Sequence, residues 1–465
     1  MNEKMPHSGI SKIEVDYLFG RYDYVIDLGG KEARSEDRRK ISLLYGDNGS
    51  GKTTILSILW HLLSATANKG HRTALANSPF KAIRVTLISG DEIRVIKENI
   101  APSSFIVSVY RAGQELLEVS YQVDARGRVP SRSNSAESVT SKISRLTSEE
   151  LARLSPREIS LMVDDETDDY VSYLEEINIS PHFLADDRRI HGDDIEDPVP
   201  EAEVLAELRR NRRPQGSSLT SELDNAIKRV NELFRQMVIA GNASGSRNTD
   251  NVYLDLLRRV ANAGSSPTAK DEIRQNLESR IYDLANRTAL FNEFGLASPL
   301  DAVTFSHVLE RIPIDRLEIA EDVLVPYLDA QDARLNALGE AEALIRTLVR
   351  QVNSFFTDKE VRFSVRDGIE IDAGGVPLPP SKLSSGERQI LLLLLNTIQA
   401  RHGTRLFLID EPEISLNVKW QRKLIDALLA CAEKSSVQFV IASHSIEMIT
   451  GNTDRLARLK DLGGN

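Results

Sequence analysis

Gly46-Asp47-Asn48-Gly49-Ser50-Gly51-Lys52-Thr53 fits the pattern G-x-x-x-x-G-K-[ST], and its flanks decide how it is read. Ile41–Tyr45 ahead of it is a short apolar run of buried-strand character. Thr54–Leu63 behind it (TILSILWHLL) carries apolar residues at helical spacing. Strand, glycine loop and helix make a phosphate-binding loop. The glycines let backbone N–H groups close around phosphate oxygens, and the helix start adds its positive end. Lys52 then reaches the terminal phosphates and the Thr53 hydroxyl holds Mg²⁺. The alternative is a glycine-rich turn that happens to end in Lys-Thr, and the flanking strand and helix argue against it.

Composition sets the frame. At about 100–200 residues per domain, 465 residues give two or three domains. With 41% hydrophobic and 27% charged residues the chain has ordinary globular composition. A net charge of −11 means that any nucleic-acid contact has to use a local basic patch. One cysteine, Cys431, excludes an internal disulfide and a paired-cysteine zinc site, and fits a reducing, cytoplasmic setting. The N-terminus MNEKMPHSGISK lacks the apolar centre of a secretory leader. The longest apolar run, Ile390–Leu395, is far short of a membrane span.

Around the loop, Ile13–Phe19 and Tyr22–Leu28 read as strands, and Ile83–Ile88, Ile93–Ile96, Phe105–Tyr110 and Leu117–Val123 as an antiparallel meander. Residues 125–147, rich in Ser, Arg and Gly, read as a loop. Residues 148–178 read as helical and acidic, with Asp164, Asp165, Glu166, Asp168 and Asp169 on a solvated face. A short strand is expected at Pro181–Ala185. A helical block spans about 201–356. Leu219, Leu223, Ile227, Val230, Phe234 and Met237 lie at helical spacing, as do Ile273, Leu277, Ile281 and Leu284, and a long helix runs from Val323 to Phe356. Gly241–Asn248 and Gly264–Pro267 read as links. Val361–Val365 and Ile369–Ile371 form a hairpin around Asp367-Gly368.

The C-terminal part carries further chemistry. Leu383-Ser384-Ser385-Gly386-Glu387 opens a strongly apolar helix, so its small residues sit at a helix start, an anion site or a plain helix cap. Leu406–Ile409 is an apolar strand that ends in Asp410-Glu411-Pro412-Glu413, followed by Ser415-Leu416-Asn417. Val437–Ala442 is another buried strand, capped by Ser443-His444-Ser445. Each has a structural explanation alone. Their order behind a phosphate loop is what is specific.

That order resembles the ABC-type ATPase head shared by structural-maintenance, double-strand-break-repair and RecF-like proteins, over roughly residues 10–120 and 355–450. The resemblance implies an α/β fold of two lobes, a P-loop sheet plus an antiparallel meander, with an inserted helical arm or bundle. The lobes would be residues 1–200 and 357–465, and the insertion 201–356. It implies a slow ATPase with ATP and Mg²⁺ as cofactors, working as a head-to-head dimer or higher homo-oligomer. Asp47, Asn48, Gly49, Ser50, Gly51, Lys52, Thr53 and Thr54 would cradle ATP, and Thr53 and Asp410 would hold Mg²⁺. Glu411 would align the attacking water, and His444 would contact the γ-phosphate. Ser384, Ser385, Gly386 and Glu387 would act as the signature motif in trans, and Ser415 and Asn417 as the D-loop. Asn417 stands where many relatives carry Asp. The Mg²⁺-sensing glutamine has no plain counterpart: Gln114 and Gln122 fall in the meander, and the turn with Asp186 and Arg188 is the candidate for that place.

A zinc-hook repair head and a structural-maintenance protein both need a longer arm than this chain has, and a transporter subunit lacks the inserted arm. With Asn465 close behind His444, no appended TOPRIM nuclease domain is expected. Val352-Asn353-Ser354-Phe355-Phe356, Lys359 and Phe363, followed by LSSGERQILLLLL, are similar to the standalone AAA15/AAA21-like ATPases of anti-phage defence systems, of the PARIS and more distantly the Septu kind. This implies a sensor and scaffold for a separate nuclease effector, TOPRIM-type favoured, released by a phage trigger protein. The alternative is a RecF-like repair ATPase that clamps DNA, for which Arg209, Arg210, Arg212 and Arg213 form a basic cluster that could touch phosphates; in a chain of net negative charge a solvated helix end is the favoured reading of that cluster.

Overall fold

The computed structural model describes residues 9–29, 40–47, 49–66, 70–130, 168–185, 190–191, 219–261, 270–401 and 406–461. Asn48, Asp164, Asp165, Glu166, Asp186, Arg188, the four arginines at 209–213, the stretch 131–147 and the link Gly264–Pro267 lie outside the described residues. The chain forms two compact units: residues 1–222 with 400–465, and residues 223–399.

The first unit holds two sheets. Strands β1 (Ile10–Leu18), β2 (Tyr22–Asp27), β4 (Ala82–Leu87), β5 (Glu92–Lys97), β6 (Phe105–Arg111), β7 (Gln114–Tyr121) and β16 (Lys460–Asp461) form an antiparallel sheet in the order β16-β2-β1-β4-β5-β6-β7. The expected meander is therefore four strands of a seven-stranded sheet, which the chain's first two strands and last strand extend. The second sheet, β15-β3-β14-β13-β8-β9, contains β3 (Ile41–Tyr45), β8 (Pro181–Leu184), β9 (Ile190–His191), β13 (Leu406–Asp410), β14 (Gln438–Ser443) and β15 (Leu456–Arg458). All its pairings are parallel except β8 with β9. β13 and β14 are buried at every position, as central parallel strands covered on both faces must be.

Helix α1 (Lys52–Leu63) is apolar nearly all round, and Ile55, Leu56, Ile58, Leu59, Leu62 and Leu63 are fully buried. A helix of that composition needs cover on every side. One hydrophobic cluster supplies it, with Ile13, Val85 and Val107 from the antiparallel sheet and Leu408 and Val440 from the parallel one. Helices α2 (His71–Asn77) and α3 (Asp169–Ile177) complete this core through Leu75, Tyr170 and Leu174.

The second unit is mostly helical: α4 (Leu219–Ala261), whose first turn falls in the first unit, α5 (Lys270–Asn292), α6 (Ala302–Arg311) and α7 (Leu317–Phe355), then a hairpin of β10 (Glu360–Ser364) and β11 (Gly368–Ala373) with a short β12 (Val376–Pro377), and α8 (Ser385–Ala400), whose last residue falls in the first unit. The expected link at Gly241–Asn248 is not a link: α4 runs through it as one helix of 43 residues. The glycine has a packing reason. A Cβ on Gly241 would sit 2.8 Å from Leu338 Cδ2 and 3.0 Å from the Ala337 carbonyl oxygen, so its absence lets α4 approach α7 closely. The long helix starts at Leu317 rather than Val323 and carries Pro326 in its interior. Asn353 closes α7 onto β10: its side chain accepts from Val361 N (2.7 Å) and donates to Val361 O (2.9 Å). Phe363 packs edge-on against Phe234 and Phe294.

Candidate functional site

Three parallel neighbours, β3, β14 and β13, end side by side. Tyr45 is in register with Ser443, and Ala442 with Asp410. The segments that leave these ends are the glycine loop, the His444 turn and the Asp410-Glu411 turn. Crevices at the carboxyl ends of parallel strands are where open α/β sheets bind ligands.

In the glycine loop, Gly49 and Gly51 have φ of 81° and 88°, a region that residues with a Cβ enter at a cost. Gly51 is the residue before α1, so the first amides of that helix are exposed to the loop. Lys52 is buried, and its ammonium folds back over the loop, donating to the carbonyls of Gly46 (2.7 Å) and Asp47 (3.0 Å). Thr53 is exposed in the first turn of α1, Thr54 is half-buried, and Ser50 N donates to Asp47 O. A loop with its cation held by backbone carbonyls fits a polyphosphate, whose oxygens are better partners for the same ammonium.

Asp410 ends β13 and is buried. Glu411 turns the chain with φ 45°, and its N–H donates to Ala442 O (2.9 Å), which holds the turn against β14. His444 is half-exposed. Its Nδ1 lies 3.4 Å from Glu411 Oε1 and 3.5 Å from Glu413 Oε1. Ser415 also has positive φ (68°), and Asn417 caps α9 (Val418–Cys431) by accepting from Trp420 N (3.0 Å). An exposed threonine hydroxyl and a buried aspartate are oxygen donors of the type Mg²⁺ takes. Mg²⁺ is commonly held by one or two carboxylates plus phosphate oxygens. Among the described residues there is no cluster of three or more His, Cys, Asp or Glu that could hold a metal ion.

Motif reading missed Glu413. It is 5% exposed, and its Oε1 accepts from Ser443 Oγ (2.7 Å), His444 N (2.9 Å) and Ser445 N (3.2 Å). Its signal was a second glutamate in Asp-Glu-Pro-Glu. A carboxylate after a turn proline ordinarily reads as solvated.

Ser384, Ser385, Gly386 and Glu387 belong to the second unit. Ser384 N donates to Glu387 Oε2 (2.7 Å) and Glu387 N to Ser384 Oγ (3.3 Å), a reciprocal capping box at the start of α8. Lys359 Nζ lies 2.9 Å from each Glu387 carboxylate oxygen. Ser384 and Ser385 are exposed, while Gly386 is buried. Gln114 starts β7, and Gln122 donates to Ser120 Oγ on an exposed face.

The family described as "AAA domain, putative AbiEii toxin, Type IV TA system" matches residues 41–449, a span that takes in the phosphate loop and the His444 turn. The chain belongs to this AAA-domain family. The family span also includes the whole helical unit. A curated protein, the phosphonates import ATP-binding protein PhnC 1 of a Nostoc species, is 28% identical over 148 residues, which is 32% of this chain and 49% of that protein. The chain thus spans about half the length of the curated relative it matches. Two solved structures align over 98% of this chain at 13% identity. One is the Smc head domain with an extended coiled coil bound to the C-terminal domain of ScpA from Pyrococcus furiosus (TM-score 0.38, 96% of that chain). The other is the SmcHead bound to the C-winged helix domain of ScpA (TM-score 0.34, 97% of that chain). Among the described residues no helix is long and apolar enough to cross a membrane.

Proposed function

We propose that this AAA-domain protein binds and hydrolyses ATP as an ABC/SMC-like head, and that ATP occupancy controls a separate effector protein. The observation that carries the reading is the meeting of three strand ends that present the Lys52 loop, Asp410-Glu411 and His444 along one edge of the parallel sheet. In this reading Lys52 and the loop amides neutralise the phosphates, and Glu411 aligns the attacking water. His444 faces the γ-phosphoryl group, whose transfer depends on positioning and charge neutralisation more than on covalent help. Thr53 and Asp410 would hold Mg²⁺, which when bound offsets charge on the phosphate oxygens. Asp47, Asn48, Gly49, Ser50, Gly51 and Thr54 complete the cradle.

The reading extends to a homodimer in which Ser384, Ser385, Gly386 and Glu387 of one copy close the site of the other, with Ser415 and Asn417 between the two sites. The exposed Ser384 and Ser385 at the start of α8 suit that task. The three segments 1–200, 201–356 and 357–465 are then lobe, insertion and lobe. The reading extends further to a cytoplasmic anti-phage role, with a TOPRIM-type nuclease as effector and a phage protein as trigger; the family's description, "putative AbiEii toxin, Type IV TA system", fits a regulated toxic output and says nothing of the effector or the trigger.

The test is ATP turnover by the full chain with its Glu411→Gln variant. Retained nucleotide binding with lost turnover supports the reading, and turnover at the wild-type rate in Glu411→Gln overturns it. Expression with its genomic neighbours, followed by mass spectrometry of the purified complex, tests the effector. A stoichiometric nuclease supports that part, and a lone protein that assembles only on DNA overturns it.

A further inference from the structure

Two turns meet at Glu413. The turn after β13 carries it, and its Oε1 collects the hydroxyl of Ser443 and the N–H groups of His444 and Ser445 from the turn after β14. Ser445 hands the network on: its Oγ donates to Gln421 Oε1 (2.7 Å), and Gln421 Nε2 donates to Leu416 O (2.9 Å) on α9's approach. Leu416 N then donates to Glu413 O (2.9 Å). The chain of hydrogen bonds closes on itself, Glu413 to Ser445 to Gln421 to Leu416 and back to Glu413. Ser445 also caps the short helix α10 (Ile446–Thr450) by accepting from Met448 N. Bonds to a carboxylate of this burial are stronger than neutral ones, and a closed network stiffens every member.

His444 is fixed by this ring through its backbone, and its imidazole faces two carboxylates. Its backbone N–H is fixed to Glu413 Oε1, and its Nδ1 faces both Glu411 Oε1 and Glu413 Oε1. That leaves the Nε2 edge of the imidazole as the edge away from the carboxylates. Glu411 is fixed to the same strand end through Ala442 O. The Glu413 carboxylate thus adds a side-chain bridge between the two loops, beside the backbone bond from Glu411 N to Ala442 O, and it is the bridge that reaches the His444 turn itself.

We propose that Glu413 is a positioning residue for ATP hydrolysis: its buried carboxylate locks the Glu411 turn to the His444 turn, so that the two side chains are presented as one rigid pair. This rests on the ATPase reading above and deepens it. In this role Glu413 does not touch the reacting atoms and acts through His444. Removing it takes the carboxylate acceptor from the Ser443 hydroxyl and from His444 N, leaves Ser445 N with Ser443 Oγ alone, and loosens the histidine turn. Glu413→Gln retains an acceptor oxygen at the same reach, so it restores much of what Glu413→Ala loses.

The experiment is steady-state ATP hydrolysis and equilibrium binding of a fluorescent ATP analogue by the full chain, with rates normalised to folded protein. The variants are Glu413→Ala, Glu413→Gln, His444→Ala and the Glu413→Ala/His444→Ala double. The expected result is a kcat lowered about tenfold or more in Glu413→Ala, as displacing a positioned group does, with nucleotide affinity near wild type. Glu413→Gln should be intermediate. In a His444→Ala background, Glu413→Ala should lower kcat no further, because the two act as a unit. Losses that multiply in the double variant, or a kcat per folded molecule unchanged in Glu413→Ala, overturn the proposal. If Glu413→Ala does not accumulate folded, Glu413→Asp, shorter by one methylene, goes through the same cycle under the same criteria. Failure of the ATPase reading looks different: the wild-type chain then shows no hydrolysis dependent on Glu411.

Discussion

Ile10 and Gln438 exchange two hydrogen bonds. Ile10 N donates to Gln438 Oε1 and Gln438 Nε2 donates to Ile10 O, each at 2.8 Å, between residues 428 positions apart. The amide thus ties the first strand of the antiparallel sheet to a central strand of the parallel sheet, and both residues are buried. Gln438→Ala leaves a buried backbone donor and acceptor unpaired, which costs about 1–3 kcal/mol. Gln438→Glu still accepts from Ile10 N but cannot donate when ionised, so it repairs only half of the loss. Urea unfolding midpoints check this; equal midpoints for wild type and Gln438→Ala would show that the two sheets are held together without the amide.

The two loop glycines answer differently to the same substitution. Both have positive φ. A Cβ on Gly49 meets nothing within 4 Å, whereas one on Gly51 would lie 2.6 Å from Leu18 Cδ2 and 3.1 Å from Phe19 Cε2. Leu18 is fully buried, so its side chain has to shift within the core. Gly49→Ala should cost about 1 kcal/mol, the ordinary penalty of a left-handed residue. Gly51→Ala adds overpacking of about 1–3 kcal/mol. Thermal unfolding of both variants tests the difference, and equal shifts would mean that the loop does not press on Leu18.

The site was legible where chemistry is local. Gly46–Thr53, Asp410-Glu411 and His444 announce themselves by residue type beside short apolar strands, and these strands do lie together in one parallel sheet. What stayed hidden depends on contacts distant in sequence. No local pattern says that β1, β2 and β16 extend the meander, because antiparallel pairing is set by partners far along the chain. Gly241 reads as a break by composition, yet its missing Cβ serves the contact with Ala337 and Leu338. Val352 to Phe363, which carried the narrower family resemblance, is explained by packing: Asn353 pairs with Val361, Lys359 with Glu387 and Phe363 with Phe234. Glu413 was passed over because its burial comes from the neighbouring strand's turn, not from its own segment.

The capping box at α8 gives a pH signature. Burial acts to raise the Glu387 carboxyl, but the Lys359 ammonium and the Ser384 donors outweigh it, so it titrates below its ordinary value. A carboxyl whose folded pKa lies below its unfolded value stabilises fully above that unfolded value, about 4.3, and loses this contribution as pH falls through the folded value. Wild type should therefore lead Lys359→Met in denaturation free energy by a constant margin near neutral pH, and the margin should shrink below about pH 4. A margin independent of pH would mean that the ion pair does not govern Glu387. Ser384→Ala should cost about 1 kcal/mol through the lost cap.

Asn417 caps a helix, and the proposed dimer would also set it between the two sites. Its side-chain oxygen accepts from Trp420 N and caps α9. Asn417→Ala should lose about 1 kcal/mol. Asn417→Asp keeps the acceptor and places a negative charge at a helix start, which favours it by about 0.3–1 kcal/mol. An aspartate at this position is thus at least as good a cap, and folding does not explain the asparagine. Denaturation of the three proteins tests the cap, and light scattering with and without ATP reads self-association of the same samples. If Asn417→Asp is as stable as wild type but alters ATP-dependent association, the residue acts between the two sites. If it is destabilised as much as Asn417→Ala, the side-chain cap is not what holds the start of α9.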